Sequence, residues 1–244
     1  YRMGLWYYYW ICFSILSTDA IRMEALMRTK ICGIRNFQDA MTAINAGADA
    51  VGFLVGITHL AEDKISKEDA RDIIEKLPPF VSTVLVTHLT DKDEIVELAK
   101  YLHVDTVQIH DYIPPEDVKY VREKLYYCKI LKAIHVLDRG EALNMVKLFE
   151  GCCDALLLDS RTKERLGGTG LTHDWNVSRE IVEKSSIPVI LAGGITDKNS
   201  YDAVKKVRPY GIDANSGVEI DGYKSYEKVK AYIENARLAE EEQI

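Results

Sequence analysis

The sequence predicts an α/β protein in which eight β-strands and eight helices alternate and close into a single-domain (β/α)8 TIM barrel. From residue 28 onward, short apolar runs alternate with amphipathic helical stretches, which is typical of parallel strands and their crossover helices. This strand–helix unit recurs eight times at near-constant spacing. At 244 residues, the chain also has a length at which α/β barrels form one domain.

The first four units carry clear boundary signals. Asn36 is expected to cap the first helix, which Gly47 ends, and Ser66 is expected to cap the second. Pro114 and Pro115 suit the opening turn of the fourth helix, because the N–H group that proline lacks has no partner there. The predicted strands in this half are 29–31, 50–55, 81–86 and 106–109, and the predicted helices are 37–46, 67–76, 91–101 and one that begins at 114–115.

The last four units follow the same order, and the sixth strand is the clearest of them. Residues 155–158 are an uninterrupted apolar run, which suits a strand buried on both faces of a parallel sheet, and the run stops at Asp159. The predicted strands in this half are 128–133, 155–158, 188–192 and 211–214, and the predicted helices are 140–149, 176–184, 199–207 and one that begins near 225.

Residues 1–27 do not follow the barrel pattern. The aromatic and aliphatic run at 5–16 has 12 residues, whereas a helix that spans a bilayer needs about 20. A secretory signal or anchor, a segment that covers an interface, and an extension outside the native fold are three open interpretations. We favour the third, because Met23 and Met27 both offer later starts. We expect a barrel domain at 28–238 and an acidic tail at 239–244.

The composition argues against nucleic-acid and metal partners. The net charge is −7, and the basic residues are interspersed with acidic ones, so no basic patch for a polyanion is expected. Five cysteines without a Cys-x-x-Cys pair indicate reduced thiols in the cytoplasm. The adjacent Cys152 and Cys153 do not suit one tetrahedral zinc site. We therefore expect no metal, no nucleic acid and no membrane partner.

Polar residues cluster where the predicted strands end, which is where barrel enzymes form their active sites. These residues are Cys32, Thr87, His88, Gln108, His110, Lys132, His135 and Asp159. The loops at 191–196 and 213–219 are rich in glycine, and loops after strands seven and eight often bind a phosphate group. The glycines at 167–170 predict a flexible loop that approaches the substrate closely.

Several segments resemble the phosphoribosylanthranilate isomerase family of tryptophan biosynthesis, and together they cover nearly all of 28–236. They are KICGI (30–34), AGADAVGF (46–53), LPPFV (77–81), VQIH (107–110), LLLDS followed by GGTG and HDW, LAGGIT (191–196) and DANSGVE (213–219). The resemblance implies a cofactor-free Amadori rearrangement. The substrate would be N-(5-phosphoribosyl)anthranilate and the product 1-(2-carboxyphenylamino)-1-deoxyribulose 5-phosphate, handled by a cytoplasmic monomer or homodimer.

The resemblance also implies the role of each site residue. Cys32 corresponds to the general base and Asp159 to the general acid. Opening of the ribose ring favours a carboxyl group of raised pKa, and removal of the C2′ proton favours a thiol whose pKa a nearby cation lowers. The implied substrate contacts are Lys30, Gln108, His110, Gly168, Thr169 and Gly170, and the implied phosphate contacts are Gly193, Gly194, Ser216 and Gly217.

One segment departs from the family pattern. After strand two the family has a Ser-x-Arg segment whose arginine is implied to hold the anthranilate carboxylate, whereas residues 56–64 contain no arginine and Asp63 falls near its place. Compensation would have to come from His59, Lys64 or Arg35. Two alternatives therefore stay open, namely an isomerase for another phosphorylated aldosylamine and a non-catalytic barrel that binds a phosphorylated ligand.

Overall fold

The computed structural model describes residues 27–58, 63–160 and 174–242, in which eight parallel strands form a closed barrel. The strands are β1 (Arg28–Ile31), β2 (Ala50–Leu54), β3 (Ser82–Thr87), β4 (Thr106–Ile109), β5 (Lys129–His135), β6 (Ala155–Asp159), β7 (Val189–Leu191) and β8 (Gly211–Ala214). They pair in sequence order, and β8 pairs with β1. The predicted (β/α)8 barrel is confirmed.

Each strand is followed by a helix on the outside of the barrel. The helices are α1 (Phe37–Asn45), α2 (Lys67–Ile74), α3 (Lys92–Leu102), α4 (Pro115–Lys124), α5 (Arg139–Phe149), α6 (Trp175–Lys184), α7 (Ser200–Val207) and α8 (Tyr226–Glu241). Two predicted caps are confirmed: the side chain of Asn36 accepts from the backbone N–H of Asp39, and that of Ser66 accepts from the N–H of Asp69.

Apolar side chains fill two separate layers. The larger cluster lies between the strands and the helices, and it includes fully buried side chains such as Phe53, Phe149 and Tyr232. Because side chains alternate along a strand, the other face of each strand fills the barrel interior. Two small clusters lie there, one of Cys32, Leu54, Val84 and Val86 and the other of Leu131, Ala133, Leu157 and Ala192. The apolar interior leaves polar groups at the carboxyl ends of the strands.

The main difference from the predicted boundaries is in β5, which continues to His135 rather than ending at Ala133. His135 is paired in register with Asp159 on β6, so both side chains lie at the same level of the barrel. The place of His135 in the strand follows from its pairing with the neighbouring strand, which the sequence alone does not show.

The two ends of the barrel domain meet at α8. The N–H of Met27 donates to the carboxylate of Glu240, and both Met27 and Ala239 are buried. The expected boundaries at 28 and 238 therefore fall beside or within packed structure. Of the expected extension at 1–27, residues 1–26 lie outside the described residues. In the described part of the chain, no helix is both long enough and apolar enough to cross a membrane.

The side chain of Tyr232 on α8 offers a test of the packing. It is fully buried, and its hydroxyl group has no hydrogen-bond partner among the described residues. Because an unsatisfied buried hydroxyl costs about 1–3 kcal/mol, we expect Tyr232→Phe to raise the free energy of unfolding by about that amount. Urea denaturation measures the change, with Tyr226→Phe on an exposed position of the same helix as the control. A less stable Tyr232→Phe protein would contradict the packing described.

Candidate active site

Cys32 lies directly after β1 and is almost completely buried inside the barrel. Its backbone N–H donates to the carbonyl of Ala214 at 2.8 Å, which continues the pairing of β1 with β8. On β2, Gly52 keeps space open beside the thiol, because a Cβ atom there would lie 3.0 Å from both Cys32 Sγ and Lys30 Cε. The thiol is therefore held at the inner wall of the barrel next to a lysine.

Lys30 forms a buried ion pair with Asp213 on β8. The two residues are register partners on adjacent strands, and Lys30 Nζ lies 2.7 Å from Asp213 Oδ2, with each side chain only 8% exposed. Burial lowers the pKa of Lys30. The pKa nevertheless stays above its ordinary value, because Asp213 stabilises the charge. Asp213 was not among the predicted site residues. Its position on the strand next to that of Lys30, with both side chains pointing into the barrel, is a signal from which it could have been predicted.

The pKa of the Cys32 thiol differs from the expectation. Burial raises this pKa to about 11, and the charge of Lys30 offsets the effect only in part, since Asp213 acts in the opposite direction. The expected lowering of the thiol pKa is therefore wrong for the free protein. Cys32 is therefore a neutral thiol near pH 7 in the free protein.

Asp159, the last residue of β6, has partners for both carboxylate oxygens. Oδ1 accepts from the N–H of Ser160 at 2.8 Å, and Oδ2 lies 3.4 Å from His110 Nε2. Burial favours a higher pKa for Asp159, but the hydrogen bond from His110 and the electrostatic interactions with His110 and His135 outweigh it, so the pKa lies below its ordinary value. The expected raised pKa is therefore wrong for the free protein, and Asp159 forms a close pair with His110.

Three histidines form a row beside Asp159. The ring of His110 lies between those of His88 and His135, with centroid distances of 4.7 and 5.0 Å. Gln108 Nε2 donates to His110 Nδ1 at 3.2 Å, which directs the Nε2–H of His110 toward Asp159. The structure thus brings Gln108 and His110 together with Asp159, as the sequence predicted. It adds His88 and His135, whose contacts with His110 were not foreseen.

The glycine loops after β7 and β8 are in direct contact. Gly193 and Gly194 have φ values of +79° and +70°, which glycine adopts without strain. A Cβ atom at Gly217 would lie 2.2 Å from the carbonyl oxygen of Ile195, so the two loops pack backbone against backbone. Ser216 begins a short 3₁₀ helix, Ser216–Val218. The four residues expected to bind phosphate are therefore neighbours in one backbone-lined surface.

A network of polar contacts joins the loop after β2 to the loop after β8. The Asn215 amide donates to the Asp63 carboxylate, and Lys224 Nζ donates to Asn215 Oδ1 at 3.0 Å and to the Glu219 carboxylate. Asp63, which replaces the expected arginine, is thus part of the connection between these loops. Arg35 lies nearby, with its guanidinium 5.4 Å from the centre of the Tyr223 ring.

Some predicted residues lie outside the described part of the chain. These are Gly168, Thr169, Gly170 and His59. Asn215 lies in the 213–219 loop that the sequence analysis singled out, but its contacts with Asp63 and Lys224 were not predicted, because they join loops that are far apart in sequence.

An α/β barrel with a thiol and a histidine-linked carboxylate at its mouth is in the class of enzymes that move protons on a small bound molecule. Comparison with known proteins identifies the family within this class. A family model described as N-(5'phosphoribosyl)anthranilate (PRA) isomerase matches residues 29–235. The chain belongs to this family, so it is an isomerase, and the resemblance found in the sequence is confirmed.

Similar proteins and structures cover the same part of the chain. N-(5'-phosphoribosyl)anthranilate isomerase 2 of Methanosarcina mazei is 41% identical over 86% of this chain and 94% of its own length. The crystal structure of phosphoribosyl anthranilate isomerase from Thermotoga maritima is 33% identical, has a TM-score of 0.76, and matches 86% of this chain and 98% of that one. A further isomerase structure, 32% identical with a TM-score of 0.74 over 86% and 98% of the two chains, contains reduced 1-(o-carboxyphenylamino)-1-deoxyribulose 5-phosphate.

The buried ion pair predicts a large loss of stability when one partner is removed. Asp213→Ala leaves the Lys30 ammonium buried and uncompensated, so we expect the free energy of unfolding to fall by about 3–5 kcal/mol. Urea denaturation measures the loss. The control is Asp72→Ala, which breaks an exposed pair with Lys76 and should cost less than about 1 kcal/mol. Equal losses in the two variants would contradict the role of the buried pair.

The raised pKa of Cys32 predicts how its alkylation depends on pH. With a pKa of about 11, the thiolate fraction rises tenfold for each pH unit across the neutral and mildly alkaline range. We expect the rate of iodoacetamide modification of the Cys32 peptide, followed by mass spectrometry, to rise without levelling up to about pH 10. Free cysteine in the same reaction levels off near its ordinary pKa of about 8.5. A plateau for Cys32 below about pH 9 would refute the effect of burial.

Proposed function

We propose that this chain converts N-(5-phosphoribosyl)anthranilate to 1-(2-carboxyphenylamino)-1-deoxyribulose 5-phosphate in tryptophan biosynthesis, with Asp159 as general acid and Cys32 as general base. The observation that carries the proposal is the placement of these two groups inside one barrel mouth, at the ends of β6 and β1. The related structure that contains a reduced form of this product supports the assignment of the substrate.

The first step is protonation of the ribose ring oxygen, which opens the ring and forms a Schiff base. In the free protein, Asp159 is ionised and faces the Nε2–H of His110. A bound anionic substrate displaces water and brings negative charge to the mouth, and both changes raise the pKa of a carboxyl group. With its pKa raised, Asp159 takes up a proton from solvent and passes it to the ring oxygen, while the Nε2–H of His110 holds the carboxyl group in place. Gln108 orients His110 for this contact.

The second step is removal of the C2′ proton of the Schiff base. Cys32 must first release its own proton to solvent, and the positive charge of a protonated Schiff base beside the thiol favours that loss. Lys30, held in place by Asp213, stabilises the thiolate. The thiolate then takes the C2′ proton, and the resulting enolamine takes up a proton at C1′ and releases the proton of its C2′ hydroxyl group to give the ketose.

The phosphate group is held by the loops after β7 and β8. The positive φ angles of Gly193 and Gly194 let backbone N–H groups face a ligand, and the 3₁₀ helix at Ser216–Val218 presents further N–H groups beside them. Within the described chain, the N–H groups of Gly193 and Gly194 donate to no other residue. Backbone donors of this kind suit the several acceptor oxygens of a phosphate.

The carboxylate of the anthranilate ring needs a cationic partner, and residues 56–64 lack the arginine that the family has after strand two. Arg35 and Lys64 carry positive charge on the loops after β1 and β2. The relatives that are 34–41% identical are all named as isomerases for this substrate, which favours the anthranilate substrate over another aldosylamine. We also expect a cytoplasmic monomer or homodimer, and one similar Thermotoga maritima protein is described as dimeric.

The roles of Cys32 and Asp159 can be tested by kinetics on the full chain. We expect Cys32→Ala and Asp159→Asn each to lower kcat by about 10²–10⁴-fold, because each removes a proton-transfer group, with smaller effects on KM. Turnover is followed by the loss of phosphoribosylanthranilate fluorescence. His103→Asn, at an exposed position after α3, is the matched control and should keep full activity. Full activity in both site variants, with folding intact by circular dichroism, would overturn the mechanism.

A further inference from the structure

We propose that His110, His135 and Asp159 form a binding site for a divalent transition-metal ion, with Zn²⁺ as the best match, and that this ion inhibits the enzyme. Each residue offers one ligand atom, and these atoms lie within 4.8 Å of one another. The proposal concerns an inhibitor and not a metal that the reaction needs. It also differs from the cysteine-based zinc site that the sequence argues against.

The positions of the three ligands are set by three adjacent strands. His110 follows β4, while His135 and Asp159 are register partners at the ends of β5 and β6. His110 Nε2 and Asp159 Oδ2 are 3.4 Å apart. Two ligands on a tetrahedral zinc ion with bonds of about 2.0–2.1 Å are separated by about 3.4 Å, so this pair already has the required spacing. Ligands on strand ends hold their geometry better than ligands on loops.

The hydrogen bond of His135 prepares one ligand atom. His135 Nε2 lies 3.2 Å from the carbonyl oxygen of His110. A carbonyl oxygen only accepts, so Nε2 carries the proton and the neutral ring keeps a lone pair on Nδ1. Metal-binding histidines commonly show this arrangement, in which the second nitrogen donates to a backbone carbonyl.

Gln108 supplies the same support for His110. Its side chain is 2% exposed, and Oε1 has no hydrogen-bond partner among the described residues. In the structure Gln108 Nε2 donates to His110 Nδ1. When the ion binds, rotation of the amide by 180° exchanges Nε2 and Oε1, so that Oε1 accepts from His110 Nδ1–H. His110 Nε2 then presents its lone pair toward Asp159. The rotated amide satisfies a buried acceptor that otherwise has no partner, and it creates the tautomer that binds a metal.

The donor set indicates the chemistry of the ion and its effect. Two imidazole nitrogens and one carboxylate favour Zn²⁺, Co²⁺ or Ni²⁺, whereas Mg²⁺ and Ca²⁺ prefer oxygen ligands. Three ligands from one side of the barrel leave coordination positions open toward the mouth. A bound ion would be coordinated by both Asp159 Oδ2 and His110 Nε2. Asp159 could then not carry the proton that opens the ring. The inhibition rests on the proposed reaction, whereas the binding of the ion does not.

Binding is tested with Co²⁺ as a spectroscopic probe and Zn²⁺ in competition with a chromophoric chelator, on the full chain. We expect one ion per chain, a cobalt spectrum without a thiolate charge-transfer band, and binding at least tenfold weaker in His135→Gln. His103→Asn is the matched control and should bind as the unmodified protein does. Unchanged affinity in His135→Gln, or a thiolate band that places the ion on cysteine, would overturn the proposal.

A second pair of variants keeps the test valid if His135→Gln does not fold. Gln108→Glu provides a stronger acceptor for His110 Nδ1–H and should tighten binding about tenfold, whereas Gln108→Met removes the acceptor and should weaken it about tenfold. Weaker binding in Gln108→Glu, or tighter binding in Gln108→Met, would contradict the role assigned to Gln108. Zn²⁺ should also suppress turnover reversibly, with activity restored by EDTA. Because the cobalt titration needs no substrate, it reports the site even if the proposed reaction is absent.

Discussion

The buried ion pair between Lys30 and Asp213 joins β1 and β8, the two strands whose pairing closes the barrel. Two charges at such depth are tolerated only because each compensates the other, so the pair fixes where these strands meet. It also sets the electrostatics of the active site, because Lys30 stands beside the thiol of Cys32. Barrel closure and the reactivity of the proposed base therefore depend on the same contact.

Much of the fold is visible in the sequence because it follows from local patterns. The apolar run before Asp159, the caps Asn36 and Ser66, and the glycine loops each depend on neighbouring residues. The pKa directions of Cys32 and Asp159 could not be predicted in this way. Each is a balance between burial and a partner on another strand, and a linear sequence shows neither the depth of a group nor the distance to its partner.

The replacement of the family's arginine by Asp63 has a structural explanation that the sequence did not offer. Asp63 accepts from Asn215, which also receives a hydrogen bond from the buried ammonium of Lys224. An arginine at this position would bring a second cation toward Lys224 and remove the acceptor for the Asn215 amide. The aspartate therefore belongs to a contact between two loops, and the change is best understood together with Asn215 and Lys224.

Gly52 limits how this active site is able to diversify. A side chain at that position would press on both Cys32 Sγ and Lys30 Cε, and no residue is smaller than glycine. Every substitution there narrows the space beside the thiol, so mutation cannot enlarge the pocket from β2 at this position. New room for a bulkier substrate must come from the larger side chains on the same inner wall, such as Leu54 or Val84.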